Sequence, residues 1–286
     1  MAPVTLDMHQ AAPPPIFVAF DTETTGLSPI EDRVVEIAGA AFGPDGSPLG
    51  CFEQLVDPGI PIPEALTQIH GITDAMVQGK PRIEQVLPEF LRFAGDAVLV
   101  AHNAPYDVSM LMVTLLKMGA VPTPGNLVLD TCTLARAAFP GARDYRLGTI
   151  AEHLGIARGR AHRALADVEA CREVFLRVLS SCPAPASLDE LVRMNTRELR
   201  LGLAVDLLAS TACSGTIHLE QALKSASAVM ICYLRGTKGA GPRPVTPITL
   251  MARGKSLYLV AHCHLDRRLK QFRMDRISEV HPQRNC

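Results

Sequence analysis

The stretch "FVAFDTETTG", residues 17–26, decides how this chain is read. A mainly apolar run meets Asp21, Thr22 and Glu23 and then breaks into a Thr-Thr-Gly turn. A short apolar run bounded by a turn reads as a buried strand. Side chains two apart on a strand share a face, so Asp21 and Glu23 project together at its C-terminal end. Open α/β sheets build their sites at such ends. A buried carboxylate is costly unless something pairs with it, so the two acids ask for a positive partner. A lone Asp-x-Glu is equally satisfied as a solvated strand end with a capping role.

Outward from that strand, "RVVEIAGAAF" (33–42) and "CFEQLVD" (51–57) read as two more strands, with the turn "GPDGSPLG" between them. "PRIEQVLPEFLRFAG" is helical with Pro88 weakening its middle, and "AVLVAHN" is a buried strand. "APYDVSMLMVTLLKMGA" has helical spacing and ends at Gly119, while "LVLDTCTLARAAF" is a strand turning into a helix. "RLGTIAEHLGI" and "RALADVEACREVFLRVLSS" are amphipathic helices. Strands followed by alternating strand and helix predict an α/β layer with a mixed central sheet. "CPAPAS" reads as a linker, and Ser187 and Glu190 have capping-box spacing that opens a helix into "LVRMNTRELRLGLAVDLL". Short strands, "AVMICYLR", "PITLMARG", "SLYLVAHCH", "LKQFRM" and "ISEVH", close the chain. The units expected are a flexible lead (1–15), an α/β domain (16–180), a linker and helix (181–214) and a β-rich unit (215–286).

Further acids fall in telling places. Asp107 follows a buried strand at the head of an apolar helix, where capping alone would also explain it. Asp167 sits on a helix, with His162 five residues before it. Five residues turn a helix by roughly 500°, so the pair would not share a face, and His162 is placed in the loop "ARGRAHR". Four carboxylates meeting at one sheet edge repel unless cations bind. Hard oxygen donors select Mg²⁺ or Mn²⁺, and two such ions can drive phosphodiester hydrolysis. A histidine with an ordinary pKa of about 6.5 can take a water's proton near neutral pH.

"FDTETTG", "AHNAPYD" and "HRALADV" resemble the three exonuclease motifs of the DnaQ-like, DEDDh-type 3'-5' exonucleases. Within that family the likeness is greatest to the proofreading epsilon subunits of bacterial DNA polymerase III. "RVVEIAGA", "IHGITDAMV" and "VLDTCTLAR" match as well, so the resemblance runs over about residues 16–180. It implies an RNase H-like fold with Asp21, Glu23, Asp107 and Asp167 as ligands of two Mg²⁺ or Mn²⁺ ions and Asp21 bridging them. His162 becomes the general base. Thr24 and Leu27 fall where the family lines the pocket for the 3'-terminal nucleotide, and Ile69 and His70 where it contacts the terminal base. Asn103 falls at a supporting position. Tyr106 stands where Phe is commoner.

Charge divides the chain. Residues 215–286 carry 12 Lys and Arg against 4 Asp and Glu, a net of +8, and the remainder carries 16 against 25, a net of −9. An acidic unit suits cations and a basic one suits phosphates, Arg above all. "YLVAHCH" and "FRMDRI" are similar to the WYL domain of bacterial transcription regulators, which implies a small Sm- or SH3-like β-barrel. The family's named Trp is Leu257 here. Tyr258, Arg268, Arg273 and Arg276 fit its polar pocket, implying a nucleic-acid or nucleotide-like ligand.

The eight cysteines are scattered, and His262-Cys263-His264 on a strand points its neighbours to opposite faces, which makes a poor chelate. No apolar stretch approaches the 18 to 20 residues of a membrane span, and the N-terminus lacks signal-peptide character. A soluble cytoplasmic protein with reduced thiols is the expectation. The expected activity is metal-dependent 3'-5' exonuclease action on single-stranded or frayed DNA ends, in repair or proofreading, with a polymerase or repair protein as partner. RNA satisfies the same motifs. A ligand-sensing regulator with minor nuclease activity is the reading from another class, although no basic helix-turn-helix is evident.

Overall fold

The structure is a computed structural model, and it describes residues 14–29, 31–118, 125–157, 159, 163–182, 187–195, 199–201, 213–225, 227–234, 241–253 and 256–283. The chain opens with β1 (Phe17–Thr24), β2 (Val34–Phe42) and β3 (Pro48–Leu55), then α1 (Glu64–His70), α2 (Asp74–Val77) and α3 (Ile83–Ala94). There follow β4 (Val98–Ala101), α4 (Pro105–Lys117), β5 (Leu127–Asp130), α5 (Thr131–Ala138), α6 (Leu147–His153), α7 (Ala164–Ser181), α8 (Leu188–Met194) and β6 (Leu199–Arg200). These strands form one sheet in the order β3-β2-β1-β4-β5-β6. β1 pairs antiparallel with β2 and parallel with β4, so the sheet is mixed, as expected.

Alternation along β1 sorts its side chains between two cores. Val18 and Phe20 enter the core shared with α3 and α4, while Phe17 and Ala19 enter the core shared with α5, α6 and α7. β2 is buried along its whole length, an apolar run interrupted by the single charge of Glu36. α3 runs through Pro88 without a break. Burial of Val86, Leu87 and Phe90 on the sheet supplies more stability than the missing N–H removes.

The helix expected from Ser187 onward is short. Ser187 caps it by accepting from the Glu190 N–H at 3.2 Å, but it stops at Met194 and the chain returns as β6, antiparallel to β5. Asn195 accounts for the stop. Its side chain accepts from the Asp130 N–H at 2.9 Å and donates to the Val128 carbonyl at 3.2 Å, tying the chain to the sheet edge. The segment read as linker and helix thus supplies both a core residue, Leu191, and a strand.

The C-terminal region comprises α9 (Thr216–Ser225), β7 (Val229–Tyr233), β8 (Pro242–Arg253), β9 (Ser256–Cys263), β10 (Arg268–Arg273), a 3₁₀ turn at Met274–Arg276 and β11 (Ile277–Pro282). Its sheet is antiparallel in the order β10-β9-β8-β7-β11. The closed barrel expected from the resemblance is not formed: among the described residues β10 and β11 remain separate edges. α9 covers one face instead, burying Leu219, Ala222 and Leu223 against Val245, Leu259 and Phe272. This sheet rests on α4, with Val113 packed on Val260, Tyr258 and Leu269. Among the described residues no helix is long and apolar enough to cross a membrane.

Candidate active site

Period-two alternation builds the site directly from β1. Asp21 and Glu23 lie on the face of Phe17 and Ala19, toward α7, while Thr22 and Thr24 lie on the other face, toward α4. α7 brings Asp167, and the ligand oxygens of Asp21, Glu23 and Asp167 lie within 4.8 Å of one another. α4 brings Asp107 in its first turn. Asp107 Oδ1 accepts from both the Thr22 N–H, at 3.0 Å, and the Thr22 hydroxyl, at 2.6 Å. The β1–β4 pairing ends at Ala19 and Val100, so beyond it a side chain from α4 takes the strand's next donor. The four acids that the sequence placed on three separate elements therefore converge.

Their protonation reflects the crowding. Burial, then the charges of Asp107, Glu23 and Asp167, holds Asp21 well above the usual carboxylate range. Burial also pushes Glu23 up to about 8, with Asp167, Glu36 and Asp107 adding to it and Arg163 opposing. Asp107 is pushed up to about 7 by burial, against the lowering effect of its bonds from Thr22. Carboxylates left to themselves in this way hold protons. A set of hard oxygen donors of this charge and spacing fits divalent cations such as Mg²⁺ or Mn²⁺ and would ionise on binding them.

The turn after Glu23 is held by three side chains. The Thr24 hydroxyl donates to the Gly26 carbonyl at 2.7 Å and lies 2.5 Å from the Tyr106 hydroxyl, which itself donates to Gly26 O at 2.8 Å. Asp32 accepts from the Ser28 N–H at 2.8 Å, and a Cβ on Gly26 would collide with the Asp32 carboxylate. That close approach is why the Thr-Thr pair is followed by glycine. Leu27, just after this turn, stands 72% exposed, and Ile69, in the last turn of α1, 52% exposed.

Other predicted positions fall differently. His70 is buried, its ring turned inward so that Nδ1 accepts from the Ile72 N–H at 3.0 Å. Asn103 has a left-handed backbone, φ 63°, and its N–H donates to Asp130 Oδ1 at 2.9 Å. His162 lies outside the described residues. In the C-terminal sheet, Tyr258 packs toward α4, Arg268 is 3.6 Å from Glu31, and Arg273 is paired to Asp275 at 2.6 Å. Tyr258 and Arg273 are cross-strand neighbours, and Arg276 lies in the 3₁₀ turn that follows.

Several residues escaped the reading of the sequence. Thr22 grips Asp107, and nothing in a Thr between two acids announces that. Asp130 gathers the N–H groups of Asn103 and Ala104 and the Thr133 hydroxyl, fixing the turn that leads to Asp107. Glu36 and Arg163 form a pair at 2.7 Å. Glu36 did carry a signal: one charge inside a wholly apolar strand demands a partner.

Residues 18–175 match the family model described as Exonuclease, and residues 217–282 match the WYL domain. A DNA polymerase III PolC-type protein of Clostridium perfringens is 41% identical over 173 residues, 60% of this chain and 12% of that protein. A DNA polymerase III subunit epsilon-like protein of Rhodobacter capsulatus is 44% identical over 172 residues, 59% of this chain and 24% of that protein. This chain thus spans under a quarter of either relative. Exonuclease X, solved in complex with 5' overhanging duplex DNA, is 27% identical with a TM-score of 0.51, covering 63% of this chain and 99% of its own.

Proposed function

The chain belongs to the exonuclease family whose model spans residues 18–175, and from that premise we propose that it is a metal-dependent 3'-5' exonuclease acting on DNA. One observation carries the reading: Asp21, Glu23 and Asp167 present their oxygens within 4.8 Å of one another, with Asp107 held beside them through Thr22. Such a constellation is expensive for a folded protein and is explained by cation binding.

Asp21, Glu23, Asp107 and Asp167 would hold two Mg²⁺ or Mn²⁺ ions, which when bound make the attacking water a better nucleophile and stabilise the leaving oxygen. Asp21, which shares a face of β1 with Glu23 and lies beside Asp167, would be the central member of that ligand set. Leu27 and the Thr24–Gly26 turn accept the terminal nucleotide, and the fixed turn orients its phosphate. His162, from its place in the third motif, takes the proton of the water that attacks phosphorus. The bond from phosphorus to the 3' oxygen of the preceding nucleotide breaks, releasing a nucleoside 5'-monophosphate and a new 3' hydroxyl.

DNA is favoured over RNA because the relatives are named as DNA polymerase III proteins and Exonuclease X was solved on DNA. The excess of positive charge in residues 215–286 supports a second role: Arg268, Arg273 and Arg276 hold the backbone of the strand upstream of the cleaved end. Work on DNA ends, in repair or beside a polymerase in the cytoplasm, follows from that substrate. A panel of 3'-labelled oligonucleotides tests the proposal: single-stranded DNA, duplex DNA with a mismatched 3' end, and RNA, each with Mg²⁺ or Mn²⁺. Mononucleotide release from the two DNA substrates, with RNA cut at least about tenfold more slowly, is expected. Preferential cleavage of RNA would overturn the substrate assignment, and no cleavage at all would overturn the activity.

A further inference from the structure

We propose that Glu36 is a positioning residue that fixes the separation between Glu23 on β1 and Asp167 on α7, and thereby sets the cation affinity of the site. The inference rests on the reading of those acids as cation ligands and adds to it a residue outside the ligand set. Glu36 stands directly opposite Glu23 in the antiparallel β1–β2 register and is fully buried. Both of its oxygens are engaged from the start of α7. Arg163 Nη2 donates to Oε1 at 2.7 Å, Arg163 Nε lies 3.2 Å from each oxygen, and the Ala164 N–H donates to Oε2 at 2.9 Å. Arg163 is the N-cap of α7, and its carbonyl accepts the Asp167 N–H at 3.1 Å. An unbroken path of short bonds therefore runs from the strand beside Glu23 to the backbone of Asp167.

Local chemistry explains why this anchor holds. A carboxylate at a helix N-terminus is favoured by the unsatisfied N–H groups and the helix dipole. Arg presents a planar fork that grips both carboxylate oxygens. Stability alone does not explain the choice of residue. An apolar pair of similar volume serves a core as well as a buried ion pair does, and Glu36 adds a negative charge beside acids already crowded together. What the ion pair supplies and an apolar pair does not is direction. It sets the height and rotation of α7's first turn over β1, and so where Asp167 stands relative to Glu23. Residues that orient metal ligands from behind typically govern affinity by 10- to 100-fold.

Replacing Glu36 alone confounds two effects, because losing a negative charge weakens cation binding through Coulomb's law whatever the geometry. Replacing Arg163 separates them by sign. Arg163→Met removes a positive charge near the site, which on charge alone tightens Mn²⁺ binding; a lost anchor loosens it. Mn²⁺ binding to the full chain without substrate, read by electron paramagnetic resonance of the free ion, should weaken by roughly tenfold in Arg163→Met and recover to within about threefold in Arg163→Lys. Arg163→Met leaves Glu36, 0% exposed, without its cation and should lower the melting temperature, so circular dichroism and thermal unfolding establish that each variant is folded at the temperature at which binding is read. Glu36→Gln, which keeps shape and hydrogen bonding to Ala164, should weaken binding as well. Unchanged or tighter Mn²⁺ binding by folded Arg163→Met overturns the proposal. Because the measurement needs no substrate, a wild-type protein that binds Mn²⁺ yet cuts no nucleic acid would refute the proposed function and leave this result standing.

Discussion

Thr22 holds Asp107 twice, through its backbone N–H at 3.0 Å and its hydroxyl at 2.6 Å. The residue between the two acids of β1 therefore fixes a third acid that arrives 85 residues later. Asp107 is 3% exposed, so it has little water to replace a lost donor. Hydrogen bonds to a charged group are worth about 1.5–3 kcal/mol. Thr22→Val keeps the shape and the backbone donor and removes the hydroxyl. The Mg²⁺ concentration for half-maximal activity should rise by about tenfold, with the substrate KM within about twofold of wild type. An unchanged Mg²⁺ dependence would show that Thr22 only decorates the site.

Proton and cation compete for the same oxygens. Glu23 in the folded, cation-free protein titrates near 8 and Asp107 near 7, above their ordinary values of 4.5 and 3.8. A raised folded-state pKa means the folded protein binds more protons than the unfolded chain between those limits. Cation-free stability should thus be greatest below about pH 4 to 4.5, as far as these groups decide it, and fall as pH rises through 7 to 8. Saturating Mg²⁺ should raise the melting temperature by about 5 °C or more at pH 8 and by much less at pH 5. Thermal unfolding at the two pH values checks this, and an equal Mg²⁺ effect at both would contradict it.

Tyr106 uses its hydroxyl to tie α4 to the Thr24–Gly26 turn. Burial pushes that hydroxyl's pKa up to about 12, so it stays a neutral donor throughout the working range. Tyr106→Phe should loosen the turn that receives the terminal nucleotide. The expected signature is a KM for a single-stranded oligonucleotide raised by about 3- to 10-fold with kcat changed less, in keeping with about 1 kcal/mol per lost bond. Steady-state kinetics decides it, and an equal fall in kcat with KM untouched would argue for a different role.

Arg268 and Glu31 meet at 3.6 Å where the C-terminal sheet faces the loop after β1, both well exposed. An exposed pair of this kind contributes little to stability. Arg268→Glu should leave the melting temperature unchanged while weakening single-stranded DNA binding, and should lower the slope of log K against log salt by about 0.7. Binding titrations at several salt concentrations measure it; a slope identical to wild type would place the DNA elsewhere.

Much of the fold was legible because its signals are local. Apolar runs and turns located β1, β2, β4 and β5, and helical spacing located α4 and α7, since each reflects a period a window of ten residues contains. The shared face of Asp21 and Glu23 followed from strand periodicity alone. Asp107 and Asp167 each had a bland reading alone, and resemblance gave them their roles as ligands, because convergence of distant elements is a property of topology and not of any window. Glu36 and Arg163, 127 residues apart, were invisible as a pair for the same reason. The stop at Met194 was missed because Asn195 acts through bonds to Val128 and Asp130. The open C-terminal sheet was missed because closure depends on whether the distant strands β10 and β11 pair, which no local pattern announces, and among the described residues they do not.

Asp21 is the half-buried carboxylate that the charges of Asp107, Glu23 and Asp167 all act upon. Wild type and Asp21→Asn should be compared for Mg²⁺-dependent mononucleotide release from a 3'-labelled single-stranded DNA. The account predicts stepwise release by wild type and a loss of at least about a thousandfold in Asp21→Asn, with the variant still folded. Asp21→Asn protein that retains wild-type release in Mg²⁺ would contradict it.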